Sequence, residues 1–234
     1  MGHFLPYYIR YAAYHEFDGI WLDLEHRAMD QREVQSVLSM CHQHNIDAMV
    51  RAPTQERTKL YRYFEDGASG LLMPLVDDVQ EARAIARSVK FPPIGNRGID
   101  GAGLDADFAI DAENFTNDAN AETFVILQIE TLNALQQAEQ IAGVEGVDGI
   151  FVGPADLSLR LGLADGAPSL DEAMQLVADA AASQGKAWGT AGGGVEEWKK
   201  YRQMGAQLLI GAGDFALRDV LEGAKNSMDE ALGD

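Results

Sequence analysis

The sequence predicts an α/β protein closed into a (β/α)8 TIM barrel, and three observations support this fold class. Short apolar runs alternate with amphipathic helical patterns along the chain, as in parallel strands joined by helices. The runs are continuously apolar, which is typical of a sheet covered on both faces. Polar residues follow several different runs, where barrel enzymes build their sites. An open dinucleotide-binding sheet is disfavoured because no G-x-G-x-x-G follows the first strand.

Seven segments carry the strand pattern. They are GIWLDLE (19–25), DAMVRAP (47–53), GLLMPLV (70–76), TFVILQIE (123–130), GIFVGP (149–154), KAWGTAG (186–192) and QLLIGAG (207–213). Helices are predicted between them, for example QREVQSVLSMCHQ, VQEARAIARSV, TLNALQQAEQIAG, SLDEAMQLVADAAASQG and VEEWKKYRQMG. The chain opens with the helix-like PYYIRYAAYHEF, so the first strand of the barrel is expected to be short, within MGHFL, or missing.

One long insertion, PPIGNRGIDGAGLDADFAIDAENFTNDANAE, precedes the fourth of these segments. Its glycine-rich first half predicts a loop or lid, and its second half predicts a helix. Loops of this length in compact domains tend to be functional. No linker or change in composition divides the chain, so residues 1–234 are expected to form a single barrel domain.

The composition excludes several classes of partner. The formal charge is −19, from 37 acidic and 18 basic residues, which disfavours nucleic acid and anionic membrane surfaces. No apolar run approaches the roughly 18 residues that span a bilayer, and no signal peptide is visible. A cytoplasmic, soluble protein is therefore expected. Cys41, the one cysteine, lies in a helical pattern and is interpreted as a packed residue.

Two carboxylates mark the ends of adjacent predicted strands. Gln128 and Glu130 end TFVILQIE, and Asp156 follows GIFV within GPADLS. Such a hard oxygen-ligand set suits Mg²⁺ or Mn²⁺. The spacing is equally consistent with a Glu130 that caps a loop and an Asp156 that caps the following helix.

Arg51 and His26 are the other candidates for chemistry. Arg51 ends AMVRAP, where it either pairs with a neighbouring carboxylate or holds the oxyanion of a small keto acid. His26 follows Asp23 and Glu25 at a strand end, which favours a general acid/base role.

Lysine usage argues against Schiff-base chemistry, which needs a lysine inside the barrel. Of six lysines, Lys186 opens a strand at the wrong end of the barrel, and the others are assigned to helices or surface turns. A glycine-rich turn, GTAGGGVEEW, is either an anion site at a helix start or only a tight turn.

With these residues in place, the sequence resembles the HpcH/HpaI aldolase family of the pyruvate/phosphoenolpyruvate barrel superfamily. The matching stretches are FDGIWLDLEH, MVRAP, GLLMPLVDDVQEA, FPPIGNRG, ILQIET and GVDGIFVGPADLS, which lie in order between residues 17 and about 163. The resemblance implies a class II aldolase that makes or breaks a bond at the methyl carbon of pyruvate, with an aldehyde as acceptor and a 4-hydroxy-2-oxo acid as the joined compound.

The resemblance also implies roles for residues. Glu130 and Asp156 become ligands of a divalent metal ion (Mg²⁺, Mn²⁺ or Co²⁺), Arg51 stabilises the enolate oxygen, and His26 is the acid/base. The remaining implied residues orient pyruvate or support His26: Gln128, Gly153, Pro154 and Ala155 for pyruvate, and Asp23 and Glu25 for the histidine and water.

Two departures from the family pattern are visible. The Asp that commonly partners the histidine in relatives is replaced by Glu65, beside Asp66 in YFEDG, so either Asp23 or Glu65 tunes His26. The loop IDGAGLDADF lacks the pattern that helps relatives bind the aldehyde.

Other functions on the same scaffold are a citrate-lyase-β or malyl-CoA-type lyase, an oxaloacetate decarboxylase, and a non-catalytic barrel that binds keto acids. The resemblance further implies a homo-oligomer, since the family tends towards hexamers.

Overall fold

A computed structural model describes residues 1–110, 113–211 and 213–233. Its sheet contains seven parallel strands that pair in chain order. They are β1 (Gly19–Asp23), β2 (Asp47–Arg51), β3 (Gly70–Met73), β4 (Phe124–Ile129), β5 (Gly149–Val152), β6 (Ala187–Ala191) and β7 (Leu208–Ile210). Every predicted strand is present, although each ends earlier than predicted. The barrel class is therefore confirmed, with seven strands in the part of the chain described.

Helices connect the strands and cover the outside of the sheet. They are α1 (Pro6–Tyr14), α2 (Gln31–Gln43), α3 (Arg57–Glu65), α4 (Val79–Val89), α5 (Phe115–Glu122), α6 (Leu132–Gln136), α7 (Ala138–Ala142), α8 (Pro154–Gly162), α9 (Leu170–Ser183), α10 (Val195–Gln203) and α11 (Leu217–Leu232). Side-chain caps define where several begin: Asp30 and Glu33 form a capping box on α2, and Asp78 caps α4. Cys41 is buried on α2, as expected of a packed residue.

Strand alternation decides which side chains face the inside of the barrel. Met49, Leu72, Ile126 and Phe151 form a buried cluster inside it, and the Trp21 ring meets the Phe151 ring edge-on at 5.6 Å. Because side chains repeat every two residues, the next inward positions of β1, β2 and β4 towards the carboxyl ends can be identified, and all three are polar. The barrel therefore has an apolar floor and a polar mouth.

Within the described residues, β7 and β1 are not paired by hydrogen bonds. The MGHFL segment forms no strand, but Met1 makes two backbone hydrogen bonds to β1, from its nitrogen to Trp21 O (2.5 Å) and from Asp23 N to its carbonyl (3.0 Å). Gly2 N donates to the Asp214 carboxylate beyond β7 (3.0 and 3.1 Å). A cavity of about 800 Å³ follows this seam as far as Arg51.

The insertion before β4 matches its prediction. Its first half is loop with a short 3₁₀ segment (Leu104–Ala109), and its second half contains α5; residues 111–112 lie outside the described residues. Arg97 is buried there under the rings of Phe91 and Phe115, and it pairs with Asp105. These contacts attach the insertion to the barrel wall.

Lys90 ends the helix α4, as the sequence allowed, but its side chain is buried. Its ammonium group donates to Asn120 O (3.1 Å) and lies 3.6 Å from the Asp148 carboxylate. Both partners precede strands, so Lys90 lies at the amino-terminal end of the barrel, away from the mouth. Among the described residues no helix is long and apolar enough to cross a membrane.

Candidate active site

The polar side chains of the barrel mouth follow from the register of the strands. Asp23 pairs with Arg51 across β1 and β2, and Gln128 pairs with Phe151 across β4 and β5. Asp23, Arg51 and Gln128 continue the inward-facing set of the apolar floor, to which Phe151 itself belongs. Glu130 lies two residues beyond Gln128 and therefore points the same way.

Glu130 is the most deeply buried acid of this mouth, with 3% of its surface exposed. One carboxylate oxygen accepts a hydrogen bond from the Leu75 backbone N–H (3.0 Å), and the other accepts from the Gln128 amide. Burial raises the pKa of Glu130, against the Leu75 hydrogen bond, and the nearby charges of Glu25 and Asp156 raise it further. Several carboxylates thus face one small volume.

Gly153 makes room for this arrangement. A Cβ at Gly153 would lie 2.3 Å from Glu130 Oε1 and 2.6 Å from Gln128 Nε2, far inside contact distance. Gln128 Oε1 is buried and has no hydrogen-bond partner within the described structure. A buried acceptor without a partner beside a carboxylate indicates that a donor, such as water or substrate, binds there.

Asp156 lies in the first turn of α8, near Glu130 but more exposed. Its carboxylate pairs with Arg160 one turn later (3.0 Å). The residue at the N-cap is Gly153, and no side chain caps this helix, so Asp156 does not cap it. Pro154 and Ala155 form the start of the same helix.

The fit of these residues to a metal ion is partial. In the described ranges no group of three or more His, Cys, Asp or Glu side chains is arranged to hold a metal. Glu130 and Asp156 supply two oxygen ligands, and a hard divalent ion takes its other ligands from water or a chelating substrate. Two observations are consistent with such an ion. The partnerless Gln128 oxygen suits a bound water, and the acids repel each other when no cation lies between them.

Arg51 is held between two carboxylates. Its Nε and Nη2 donate to the two oxygens of Asp23 (2.9 and 2.8 Å), and its Nη1 lies 3.1 Å from Glu25 Oε2. Its guanidinium also lies over the Trp21 ring, 4.8 Å from the centroid. Arg51 therefore has the structural partners that the sequence allowed, and its role towards substrate stays a prediction.

His26 lies just outside β1 with a mostly exposed ring. Its Nε2 is 3.6 Å from Glu25 Oε2, and its backbone N–H donates to Asp23 (3.3 Å). The Glu65 carboxylate, at the end of α3, is 3.3 Å from Arg62, and Asp66 accepts from Gln35 (2.8 Å). No hydrogen bond or ion pair joins Glu65 to His26 in the described residues, and Glu65 as its partner stays a prediction.

One group of the candidate site could not be predicted from residue types. The Leu75 N–H that orients Glu130 is a main-chain group, on a residue with φ of +53°. Only the observed backbone conformation reveals it. In the glycine-rich turn before α10, the Gly193 N–H donates to the side chain of Glu197 on the same helix (2.7 Å). This donor is therefore already used within the protein, which favours the tight-turn interpretation over an anion site.

Acidic, amide and guanidinium groups lie together at the carboxyl ends of the parallel strands. This is where α/β-barrel enzymes have their active sites. Residues 3–216 match the family described as HpcH/HpaI aldolase/citrate lyase, and the chain belongs to this family. It is accordingly a carbon–carbon lyase.

Individual relatives agree with this assignment. The chain is 36% identical over 170 residues to a 4-hydroxy-2-oxovalerate aldolase of Rhodococcus jostii, covering 70% of this chain and 63% of that protein. It is 32% identical over 215 residues to a hydroxypyruvate/pyruvate aldolase of Pseudomonas aeruginosa, covering 91% and 80%. The crystal structure of an HpcH/HpaI aldolase from Desulfitobacterium hafniense superposes with a TM-score of 0.87 at 28% identity, covering 97% of this chain and 90% of that one.

Proposed function

We propose that this protein is a class II aldolase that cleaves and forms 4-hydroxy-2-oxo acids, with pyruvate as the enolate donor and an aldehyde as the acceptor. The observation that carries the proposal is the buried Glu130 carboxylate beside the partnerless Gln128 oxygen at the barrel mouth. The names of the relatives, which act on hydroxy-oxo acids and pyruvate, support the same reaction.

A divalent ion (Mg²⁺, Mn²⁺ or Co²⁺) would be held by Glu130 and Asp156. When bound, such an ion supplies Lewis-acid polarisation of the 2-oxo group. The two protein ligands leave the remaining positions for water and for the 2-oxo acid itself.

Arg51 stabilises negative charge on the 2-oxo oxygen as the bond breaks. The guanidinium is already oriented by Asp23, so little reorganisation is needed when charge develops. Its Nη1 lies 3.1 Å from Glu25 Oε2, and the charges of Glu25 and Arg51 both act on Glu130.

His26 takes the proton of the 4-hydroxyl group in the cleavage direction. The electrons of that O–H bond form the aldehyde C=O, the C3–C4 bond breaks, and its electron pair passes to pyruvate as the enolate. A proton then adds to C3 to give pyruvate. Glu25, with Oε2 3.6 Å from Nε2 of the ring, orients His26.

The start of α8 binds the pyruvate carboxylate, and Gln128 orients pyruvate through a water that donates to its partnerless oxygen. Gly153, Pro154 and Ala155 bring the helix amino terminus to Glu130, and the amino end of a helix favours an anion. The single buried cysteine is consistent with the cytoplasmic location that we propose.

The working form is proposed to be a homo-oligomer. Helix α11 has no buried residue and is amphipathic. Its apolar face is exposed over Leu217, Val220, Leu221, Met228 and Leu232. A helix with this pattern packs its apolar side against another surface, and a second copy of this chain supplies one.

The reaction is tested by pyruvate release from a panel of 4-hydroxy-2-oxo acids, with and without EDTA. Release that stops with EDTA and returns with Mg²⁺ or Mn²⁺ is the expected result. Turnover that persists without metal, or borohydride trapping of pyruvate on a lysine, would contradict the class II reaction.

A further inference from the structure

Asp77 connects two loops at the barrel mouth, and the reaction proposed above does not use it. One loop follows β3, and the other follows the neighbouring strand β4. The Asp77 carboxylate accepts the Thr131 hydroxyl at one oxygen (2.5 Å) and the Asn133 side-chain amide at the other (3.1 Å). Because Thr131 directly follows Glu130 in the chain, Asp77 is tied to the segment that carries the buried carboxylate of the site.

The two donors of Asp77 are themselves held in place. Thr131 Oγ1 accepts the Ala134 N–H as the N-cap of α6 (3.0 Å), so its own proton is left for Asp77. The Gln137 amide donates to Asn133 Oδ1 (2.9 Å), which turns Asn133 Nδ2 towards Asp77. The same Nδ2 also donates to the Asp77 carbonyl oxygen (3.1 Å). Both donors therefore meet Asp77 in a fixed orientation.

The loop of Asp77 also carries Leu75, whose N–H orients Glu130. Leu75 has φ of +53°, a left-handed conformation that residues other than glycine rarely adopt. Pro74 and Val76 on either side of it are buried, whereas Leu75 is 46% exposed. Such a conformation persists only where the surrounding structure holds it. Two residues later, the Asp77 carboxylate anchors the loop to the β4 side and so helps to hold Leu75 in this conformation.

The contacts of Asp77 lie on both sides of the Glu130 carboxylate. Leu75 N donates to Glu130 Oε2 (3.0 Å) from the loop after β3, and Thr131 lies beside Glu130 in the loop after β4. Movement of one loop relative to the other would carry the Leu75 N–H away from Glu130. Among the described residues Asp77 forms no ion pair with a lysine or arginine, so its carboxylate serves the connection between the loops.

We propose that Asp77 is a positioning residue for the metal-binding carboxylate. By joining the loop after β3 to the loop after β4, it keeps the Leu75 N–H on Glu130 and holds the carboxylate in one orientation. The proposal rests on the proposed function and adds a residue on which the same site depends. Groups that orient metal ligands in this way strongly affect metal affinity, although they do not touch the ion.

The test compares Asp77→Ala with Ser169→Ala, which removes the helix-capping hydroxyl at the start of α9. Both variants lose local hydrogen bonds, so both should melt at a lower temperature than the wild-type protein. The affinity for Mn²⁺ is measured from the EPR signal of the free ion. Asp77→Ala should bind Mn²⁺ about tenfold more weakly, whereas Ser169→Ala should bind it as the wild-type protein does. Asp77→Asn keeps an oxygen for Thr131 but places an amide group against Asn133, and its affinity should lie between the two.

Hydrogen exchange of the Leu75 amide, measured in EDTA, reports the positioning without any metal. It should be about tenfold faster in Asp77→Ala than in Ser169→Ala, which accounts for the general loss of stability. A lower melting temperature with unchanged Mn²⁺ affinity and unchanged Leu75 exchange would make Asp77 a purely structural residue and overturn the proposal. No Mn²⁺ binding by the wild-type protein would overturn the proposed function instead, and the Leu75 exchange would then decide by itself whether Asp77 positions Glu130.

Discussion

Asp23 and Arg51 form a two-point ion pair at the mouth of the barrel, Nε to Oδ1 at 2.9 Å and Nη2 to Oδ2 at 2.8 Å. The two residues are directly opposite each other on β1 and β2. Both side chains are mostly shielded from water, with 18% and 12% exposed. The pair therefore links the stability of the barrel to the placement of Arg51.

Removal of the Asp23 charge should affect both properties. Asp23→Asn leaves a shielded guanidinium with only Glu25 as a charged partner, which should lower the unfolding free energy by about 2–3 kcal/mol. It should also reduce kcat more than it raises KM for pyruvate. Urea unfolding and steady-state kinetics measure the two effects, and Asp165→Asn on the surface is the matched control.

The same pair predicts a pH dependence of stability. Burial raises the pKa of Asp23, but its hydrogen bonds and the charge of Arg51 outweigh this, and the net pKa is lowered. The stabilisation is therefore present above the unfolded-state pKa near 4 and is lost as the pH falls through the lower folded-state value. The measurement is the difference in unfolding free energy between the wild-type protein and Asp23→Asn as a function of pH. A difference that stays constant down to pH 3 would contradict this assignment.

Glu130 should have the opposite effect on stability. Because its pKa is raised in the fold, its protonated form is favoured, and the stabilisation present at low pH is lost as the pH rises through the folded-state value. At pH 7 and in EDTA, Glu130→Gln should therefore raise the unfolding free energy by about 1 kcal/mol. The new amide also offers a donor to the partnerless Gln128 oxygen.

The same variant should lose activity and metal binding. Mn²⁺ should raise the melting temperature of the wild-type protein by mass action but not that of Glu130→Gln. Glu145→Gln, on the surface, is the control and should behave as wild type. A less stable Glu130→Gln protein in EDTA would show that Glu130 stabilises the fold in its charged form.

The partner of His26 can be identified from steady-state kinetics. Glu25 lies 3.6 Å from the ring, whereas Glu65 contacts Arg62. Glu25→Gln should lower kcat more than it changes KM, because the carboxylate that orients the ring is lost. Glu65→Gln should leave kcat unchanged, and a loss of kcat in Glu65→Gln alone would instead support the Glu65 partner.

Gly153 should not tolerate a side chain. In Gly153→Ala the new methyl group would lie 2.3 Å from Glu130 Oε1, so Glu130 or α8 must move. We expect a loss of about 1–3 kcal/mol in unfolding free energy and weaker Mn²⁺ binding. Gly162→Ala, at the other end of α8 with nothing within 4 Å, should be neutral or stabilising by up to about 1 kcal/mol.

The apolar face of α11 should determine the oligomeric state. Leu221→Glu places a charge in the middle of this face and should reduce the mass in light scattering to that of a smaller assembly. Asn226→Glu adds the same charge on the opposite side of the helix and should leave the mass unchanged. Equal masses for Leu221→Glu and wild type would place the interface elsewhere.

Much of the barrel was predictable from local patterns. The apolar runs and helical periods of α2 and α4 located these elements correctly, because each pattern reflects a geometry set within a few residues. The same patterns placed Glu130 and Asp23 at strand ends. They did not predict that Lys90 is buried, because its partners belong to segments far along the chain.

The sequence alone determined the number of strands, their order and the polar residues at the strand ends, since these depend on local patterns and chain order. Because the runs are continuously apolar, only the structure showed which side chains face the inside of the barrel. The tertiary structure decided which polar groups meet: Arg51 with Asp23 and Glu25, Glu130 with the Leu75 N–H, and His3 with Asp214. Such contacts join segments that are distant in the sequence and close in space. Some of them are made by main-chain N–H groups, which do not depend on the type of residue.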